Sequence, residues 1–219
     1  LIQERLRDPL ASPEDQGEQN KTSKLDEFVT SEIPLLPVQQ EFLKPGGETR
    51  GDYFVVVLLR TPAGARPDRI RSVLEWLVAR HDAFRLRFLL VDGEWTQKYG
   101  SSEVTLPLDI LDMKGLGGEQ VKEQAAAVEQ ELLTGFDLEN GPLVRTFLYD
   151  RGTDEKGILC IALHHIAVDA LSIVTLVSEF NQCWGSLGRD QGFPALKLPE
   201  PRFGSWARQL HTKAQSREV

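Results

Sequence analysis

The sequence predicts an α/β fold, a layered sandwich built on a mixed sheet. Short apolar runs at Tyr53–Leu59, Leu143–Tyr149 and Ile158–Leu163 read as strands. Apolar residues at helical spacing, Ile70 to Val78 and Leu171 to Trp184, read as helices packed against them. The two kinds of segment mix without strict alternation, which points to a mixed sheet.

Composition agrees with a globular chain. Hydrophobic residues make up 41% and charged residues 26% of the 219 residues, enough apolar mass for a core. The length fits one large domain or two small ones. Lys plus Arg is 25 and Asp plus Glu is 33, and a net charge of −8 argues against nucleic acid as the main partner. No apolar run reaches the ~18 residues of a membrane span. Two cysteines, Cys160 and Cys183, make neither a disulfide framework nor a four-thiolate zinc site. A reducing, intracellular compartment, the cytoplasm, is the simplest reading.

The elements follow in order. The chain opens at Leu1 without Met or signal peptide, as an excised piece of something longer would. Leu1–Arg7 could end an upstream helix or be an unstructured end. Asp8–Asp26 has linker composition. The ordered domain starts near Ile33, with an extended Ile33–Pro37 and a short helix through Val38, Phe42 and Leu43, broken by Pro45, Gly46 and Gly47. Tyr53–Leu59 reads as a strand buried on both faces. Pro67 opens a helix with Ile70, Val73, Leu74, Leu77 and Val78 on one face. Phe84, Leu86, Phe88 and Leu90 alternate with Arg85 and Arg87 as a strand, and Asp92-Gly93 turns it into a hairpin with Trp95–Tyr99.

A third apolar strip runs from Val104 to Leu111, and Gly115, Gly117 and Gly118 mark a loop. Glu119–Leu133 is helical, with Val121, Ala125, Val128 and Leu132 on one face. Asn140-Gly141-Pro142 turns into the strand Leu143–Tyr149. After the strand Ile158–Leu163, Asp169 caps a helix with an inner face of Leu171, Val174, Val177, Phe180 and Trp184, ended by Gly185. Pro194, Pro199 and Pro201 form a crossing loop before a last helix at Ser205–Gln215.

Two of the four histidines, His164 and His165, are adjacent at the end of the buried strand. Neighbouring side chains on extended backbone point to opposite faces, so one imidazole faces inward and the other a cleft. An imidazole suits proton transfer near neutrality. A pair of core histidines is an equal reading of the spacing. A metal site is disfavoured, because no third ligand stands at a favourable spacing.

His164-His165-Ile166-Ala167-Val168-Asp169-Ala170 resembles the His-His-x-x-x-Asp-Gly motif of condensation domains in nonribosomal peptide synthetases. Leu36-Pro37-Val38-Gln39-Gln40 is similar to their opening motif, and Arg80–Phe88 to their Arg-His-Glu-x-Leu-Arg-x-x-Phe motif. Phe136–Arg145 resembles the intervening Phe-Asp-Leu-x-x-Gly-Pro-Leu-x-Arg stretch, and Phe203–Leu210 the segment leading out of the first lobe. The five stretches keep the family's order. The resemblance implies a lobe like chloramphenicol acetyltransferase, half of a two-lobe domain. Carrier proteins, acyl or peptidyl, would feed a tunnel between the lobes through phosphopantetheine thioesters, with no cofactor bound directly. It makes His165 the catalytic candidate, acting on the attacking amine or on the developing oxyanion. His164, Asp169 and Arg85 map onto structural positions, with Asp169 expected to pair with Arg85. Ala170 and Ser172 are expected at the tunnel. Residues 1–30 would be a linker after an upstream carrier domain, and 31–219 the amino-terminal lobe.

Two features depart from the pattern. Ala170 replaces the motif's Gly, and a full condensation domain needs about twice this ordered length. The alternative to an enzyme half is therefore a truncated, non-catalytic lobe that docks an acyl carrier or holds the chain, as in fungal highly reducing polyketide synthases. An epimerization domain fits less well, because Ile173 or Val174 stands where a Trp is usual.

Overall fold

The computed structural model describes residues 32–44, 53–101, 106–188, 193–195, 197–199 and 201–216. The expected linker, the helix end at Leu1–Arg7, the break at Pro45–Gly47 and the start of the third strip at Val104 lie outside them. The elements are α1 (Pro37–Leu43), β1 (Phe54–Ala63), α2 (Pro67–Arg80), a 3₁₀ turn (Asp82–Arg85), β2 (Leu86–Val91), β3 (Glu94–Tyr99) and β4 (Leu108–Asp112). Then come α3 (Gly118–Thr134), β5 (Val144–Asp150), β6 (Lys156–His164), α4 (Ala170–Gly188) and α5 (Phe203–Gln215).

Among the described residues the main sheet has the order β1-β6-β5-β4, and β2-β3 form a separate hairpin. β6 runs antiparallel to both β1 and β5, while β4 runs parallel to β5. The sheet is therefore mixed, as the irregular succession of elements implies. One face, with Val144, Leu148, Leu159, Ile161 and Leu163, packs under the apolar stripe of α2 and the buried stripe of α4. The other, with Phe147, Cys160 and Ala162, is covered by Val128 and Leu132 of α3 and by Phe136. A third cluster joins the hairpin, through Leu86 and Phe88, to α1 and α5. Each fully buried Leu, Ile or Phe contributes about 1.5–3 kcal/mol. Asp92 and Gly93 both take positive φ, the geometry that lets a two-residue turn follow the twist of β2 and β3.

Several expectations are corrected. β1 is half-buried: Val55, Val57 and Leu59 face the core, while Val56 and Leu58 are exposed. It is an edge strand among the described residues, and its outer face meets the cluster beneath α3 at Phe54, so an all-apolar run did not require burial on both sides. Phe84 belongs to the 3₁₀ turn, and the strand begins at Leu86. On α3 only the end of the predicted face is buried, at Val128 and Leu132, while Ala125 is exposed. On α4 the buried stripe is Leu176, Phe180 and Cys183, while Leu171 and Val174 are 78% and 67% exposed. That helix is apolar on adjacent stripes, so periodicity leaves its rotation open, and packing against α2 and the sheet selects it. Gly185 does not end α4, which runs on to Gly188.

Two contacts fix the elements around the sheet. Glu179 on α4 takes a hydrogen bond from Arg80 Nε at 2.7 Å and meets His81 Nε2 at 2.5 Å. This joins the end of α2 to α4. Burial raises the Glu179 pKa, but the bonds to His81 and Arg80 outweigh it and hold the carboxyl below its ordinary value. The second contact centres on Gly141. Its φ is +79°, and a Cβ there would lie 2.5 Å from the Arg87 guanidinium carbon. Its N–H donates to Asp137 O, and Leu138 O accepts from Phe88 N–H, so this turn ties the hairpin to β5.

Glu179→Gln should destabilise the fold by about 1–3 kcal/mol at neutral pH. A depressed folded pKa gives stability that is present above the ordinary carboxyl pKa and lost as pH falls through the folded one. The difference from wild type should therefore shrink in acid, as denaturant midpoints across that range would reveal. Gly141→Ala should cost about 2 kcal/mol or more, and Arg87→Ala in the same chain should recover the steric part, measured as a double-mutant cycle.

Candidate functional site

The site is built where β6 ends. His164 N–H donates to Leu143 O on one side, and His165 N–H donates to Tyr53 O on the other. These bonds extend the pairing of β6 with β5 and β1 by one step each, so the strand delivers both imidazoles to a fixed place. The chain then turns tightly. Ile166 N–H donates to His164 Nδ1 at 3.2 Å, and Ala167 N–H donates to His164 O at 3.1 Å.

The two rings have different surroundings. His164 is 0% exposed and meets Phe42 and Phe136 edge-on. Its Nδ1 is an acceptor, which puts the ring hydrogen on Nε2. His165 stacks on Tyr53, with ring centroids 4.9 Å apart, and lines a cavity of about 360 Å³. Among the described residues neither of its ring nitrogens has a hydrogen-bond partner. The stack fixes the plane of the ring and leaves both nitrogens available to a ligand. Phe42, Ile166, Phe203 and Trp206 make the cavity's wall largely apolar. Such an arrangement can bind an apolar group and move a proton at one point on it.

Asp169 caps α4. Its Oδ1 accepts from the Ser172 N–H and from the Ser172 hydroxyl, both at 2.7 Å. The hydroxyl and the N–H together hold its carboxyl below the usual range, against the opposing effect of burial. Among the described residues the expected pairing with Arg85 is absent. The Arg85 guanidinium lies 5.3 Å from the centre of the Tyr99 ring, and its pKa is lowered by burial and by Arg202, against Asp82 and Tyr99. The reason is local: the helix N-terminus already satisfies Asp169, while Arg85 ends a 3₁₀ turn that faces the hairpin. Ser172 lines the His165 cavity and also a neighbouring one of about 420 Å³. Ala170, expected beside it, lines neither cavity. It is exposed at the first turn of α4 without a positive φ, so glycine's conformational freedom is not required there.

Sequence reasoning singled out neither Tyr53 nor Gln39 for the site. Tyr53 precedes β1, and the pairing of Phe54 with His164 brings it beside His165. Gln39 is buried on α1. Its side chain accepts from Leu36 N–H and Gln97 Nε2 and donates to Ile166 O, holding the loop after His165. The long-range register that creates both roles has no local signature. Among the described residues no group of three or more His, Cys, Asp or Glu could hold a metal ion. No helix among them is long and apolar enough to cross a membrane.

Known proteins resemble this chain in sequence and fold. A family model described as the condensation domain matches residues 29–219. The chain is 29% identical over 205 residues to a linear gramicidin synthase of Brevibacillus parabrevis, covering 93% of this chain and 4% of that protein. It resembles the epimerization domain from the third module of tyrocidine synthetase B at a TM-score of 0.74 and 26% identity, covering 85% of this chain and 40% of that one. The starter condensation domain of rhizomide synthetase gives a TM-score of 0.70 at 17% identity, covering 85% and 46%, which speaks to the fold alone. The chain thus spans a small fraction of the curated relative and less than half of either solved chain. From its matched residues and its fold, the chain belongs to the condensation-domain family of nonribosomal peptide synthetases.

Proposed function

We propose that this chain is the amino-terminal lobe of a condensation domain in a nonribosomal peptide or polyketide megasynthase. It joins a carrier-bound acyl group to an amine or alcohol. The observation that carries the reading is His165, an imidazole with both nitrogens free among the described residues, set in the wall of an apolar cavity. The acyl group arrives as a thioester on the phosphopantetheine arm of a carrier protein, and a second lobe completes the tunnel. The arm is a substrate tether, and no cofactor binds to the lobe directly.

The reaction is acyl transfer. The nucleophile attacks the thioester carbonyl, a C–N or C–O bond forms, and the C–S bond breaks to release the thiol. His165 takes the proton that the nucleophile loses and passes it to the leaving thiolate, or holds the nucleophile by a hydrogen bond until that thiolate takes the proton directly. His164 and the turn it stabilises hold His165 in place. The methyl of Ala170, outside both cavities, leaves room for this chemistry.

One observation favours a second reading. The likeness to an epimerization domain fits a lobe in which the same imidazole moves a proton at the α-carbon of a carrier-bound aminoacyl group. Product analysis separates the two, because epimerization inverts a centre and forms no new amide or ester.

In the full-length protein, His165→Ala should lower condensation by ~10²-fold or more, read by mass spectrometry of product released from the loaded carrier. Unchanged turnover would remove His165 from the mechanism and the reading with it. Asp169→Ala should weaken the α4 cap by about 1 kcal/mol, whereas Ser172→Ala keeps the backbone bond to Asp169 and should cost less in thermal unfolding.

A further inference from the structure

Helix α5 supplies Phe203 and Trp206 to the His165 cavity, yet it has little apolar hold on the fold. Its buried residues are Gly204 and Ala207, both among the smallest side chains on it. Trp206 and Leu210 are partly exposed, and Arg202 provides no side-chain cap at the N-terminus. The missing cap comes from elsewhere. Asp82 Oδ1 accepts from Phe203 N–H at 3.4 Å, and the Tyr99 hydroxyl accepts from Gly204 N–H at 2.8 Å. The same hydroxyl donates to Asp82 Oδ2 at 2.6 Å, and Arg202 Nε lies 3.3 Å from that oxygen. Asp82 and Tyr99 are both buried. A Cβ on Gly204 would lie 2.9 Å from the Tyr99 oxygen, so this close approach depends on glycine.

Two orphan N–H groups at a helix start are thus satisfied by side chains more than a hundred residues away in sequence. With so little burial along α5, these bonds set where its first turn sits, and the first turn carries Phe203 and Trp206. Among the described residues the cavity they close is lined by no Lys or Arg, and its one carboxylate is Asp169. A negatively charged acyl group finds no Lys or Arg to pair with there, only the His165 imidazole and hydroxyls, beside the like-charged Asp169, whereas an apolar one finds Phe42, Ile166 and the two α5 rings.

We propose that Asp82 and Tyr99 act as positioning residues for α5, and that the wall they hold, Phe203 and Trp206, selects an uncharged, apolar acyl group for the His165 cavity. The selection rests on the reading of that cavity as an acyl site. The positioning stands on the hydrogen bonds alone.

The test uses the full-length protein and two measurements. Amide exchange at residues 203–207 reports the clamp. Direct binding of butyryl- and succinyl-pantetheine reports the selection and needs no turnover. Tyr99→Phe should raise exchange at these amides by about fivefold or more, the effect of one lost hydrogen bond, with β6 protection unchanged. Asp82→Asn keeps an acceptor for Phe203 N–H and should raise exchange less. Wild type should bind the butyryl thioester at least about tenfold more tightly than the succinyl one. Trp206→Ala should narrow that ratio, and Tyr99→Phe in the Trp206→Ala background should narrow it little further. Unchanged exchange in Tyr99→Phe would overturn the positioning. Raised exchange with an unchanged ratio would overturn the link from clamp to selection. Equal binding of the two thioesters by wild type would overturn the selection, and no binding of either would overturn the acyl-site reading with it, while exchange still judges the clamp.

Discussion

The antiparallel pairing of β6 with both β1 and β5 is the constraint on which the rest depends. β6 lies inside the sheet, and its side chains enter a core on each face. A strand held on both edges cannot slip by one residue without exchanging its two faces, so its register is firmly set. That register decides which histidine is buried. Phe54 opposite His164 and Tyr53 O on His165 N–H put one ring among aromatics and the other in a cavity wall.

The site is assembled from pieces far apart in sequence, each held by a polar contact to a neighbour. Gln39 reaches from α1 to the loop after His165, and Asp82 and Tyr99 reach to α5. Buried polar groups of this kind are costly unless satisfied, and once satisfied they specify one arrangement of the elements they join. The apolar clusters hold the layers together, and these hydrogen bonds fix where the cavity walls stand. Much of that wall comes from loops and helix ends supported by the sheet, which combines a rigid floor with exposed access.

Arg85 and Asp169 illustrate how a motif can be recognised and its internal contacts still differ. Both residues stand in stretches that resemble the family's motifs, and the expectation of an ion pair followed from that resemblance. Asp169 instead accepts through Oδ1 from the backbone and hydroxyl of Ser172 in the first turn of α4, and Arg85 lies over Tyr99. Short-range capping reached the carboxylate, and the arginine joined the Asp82–Tyr99 group around α5.

By itself the sequence determined whatever depends on local pattern. It placed the Asp92-Gly93 hairpin, the α2 stripe from Ile70 to Val78, the Asp169 cap and the mixed order of strands and helices, because turn chemistry and periodicity act within a few residues. It also marked the His164–His165 pair, and extended backbone required one ring inward and one outward. Only the tertiary structure decided which ring is which, the rotation of α4 that leaves Leu171 and Val174 in solvent, the half-exposure of β1, and the roles of Tyr53, Gln39, Tyr99 and Trp206. Each of these depends on contacts between residues distant in sequence, where strand register and helix packing set the neighbours and no local pattern encodes them.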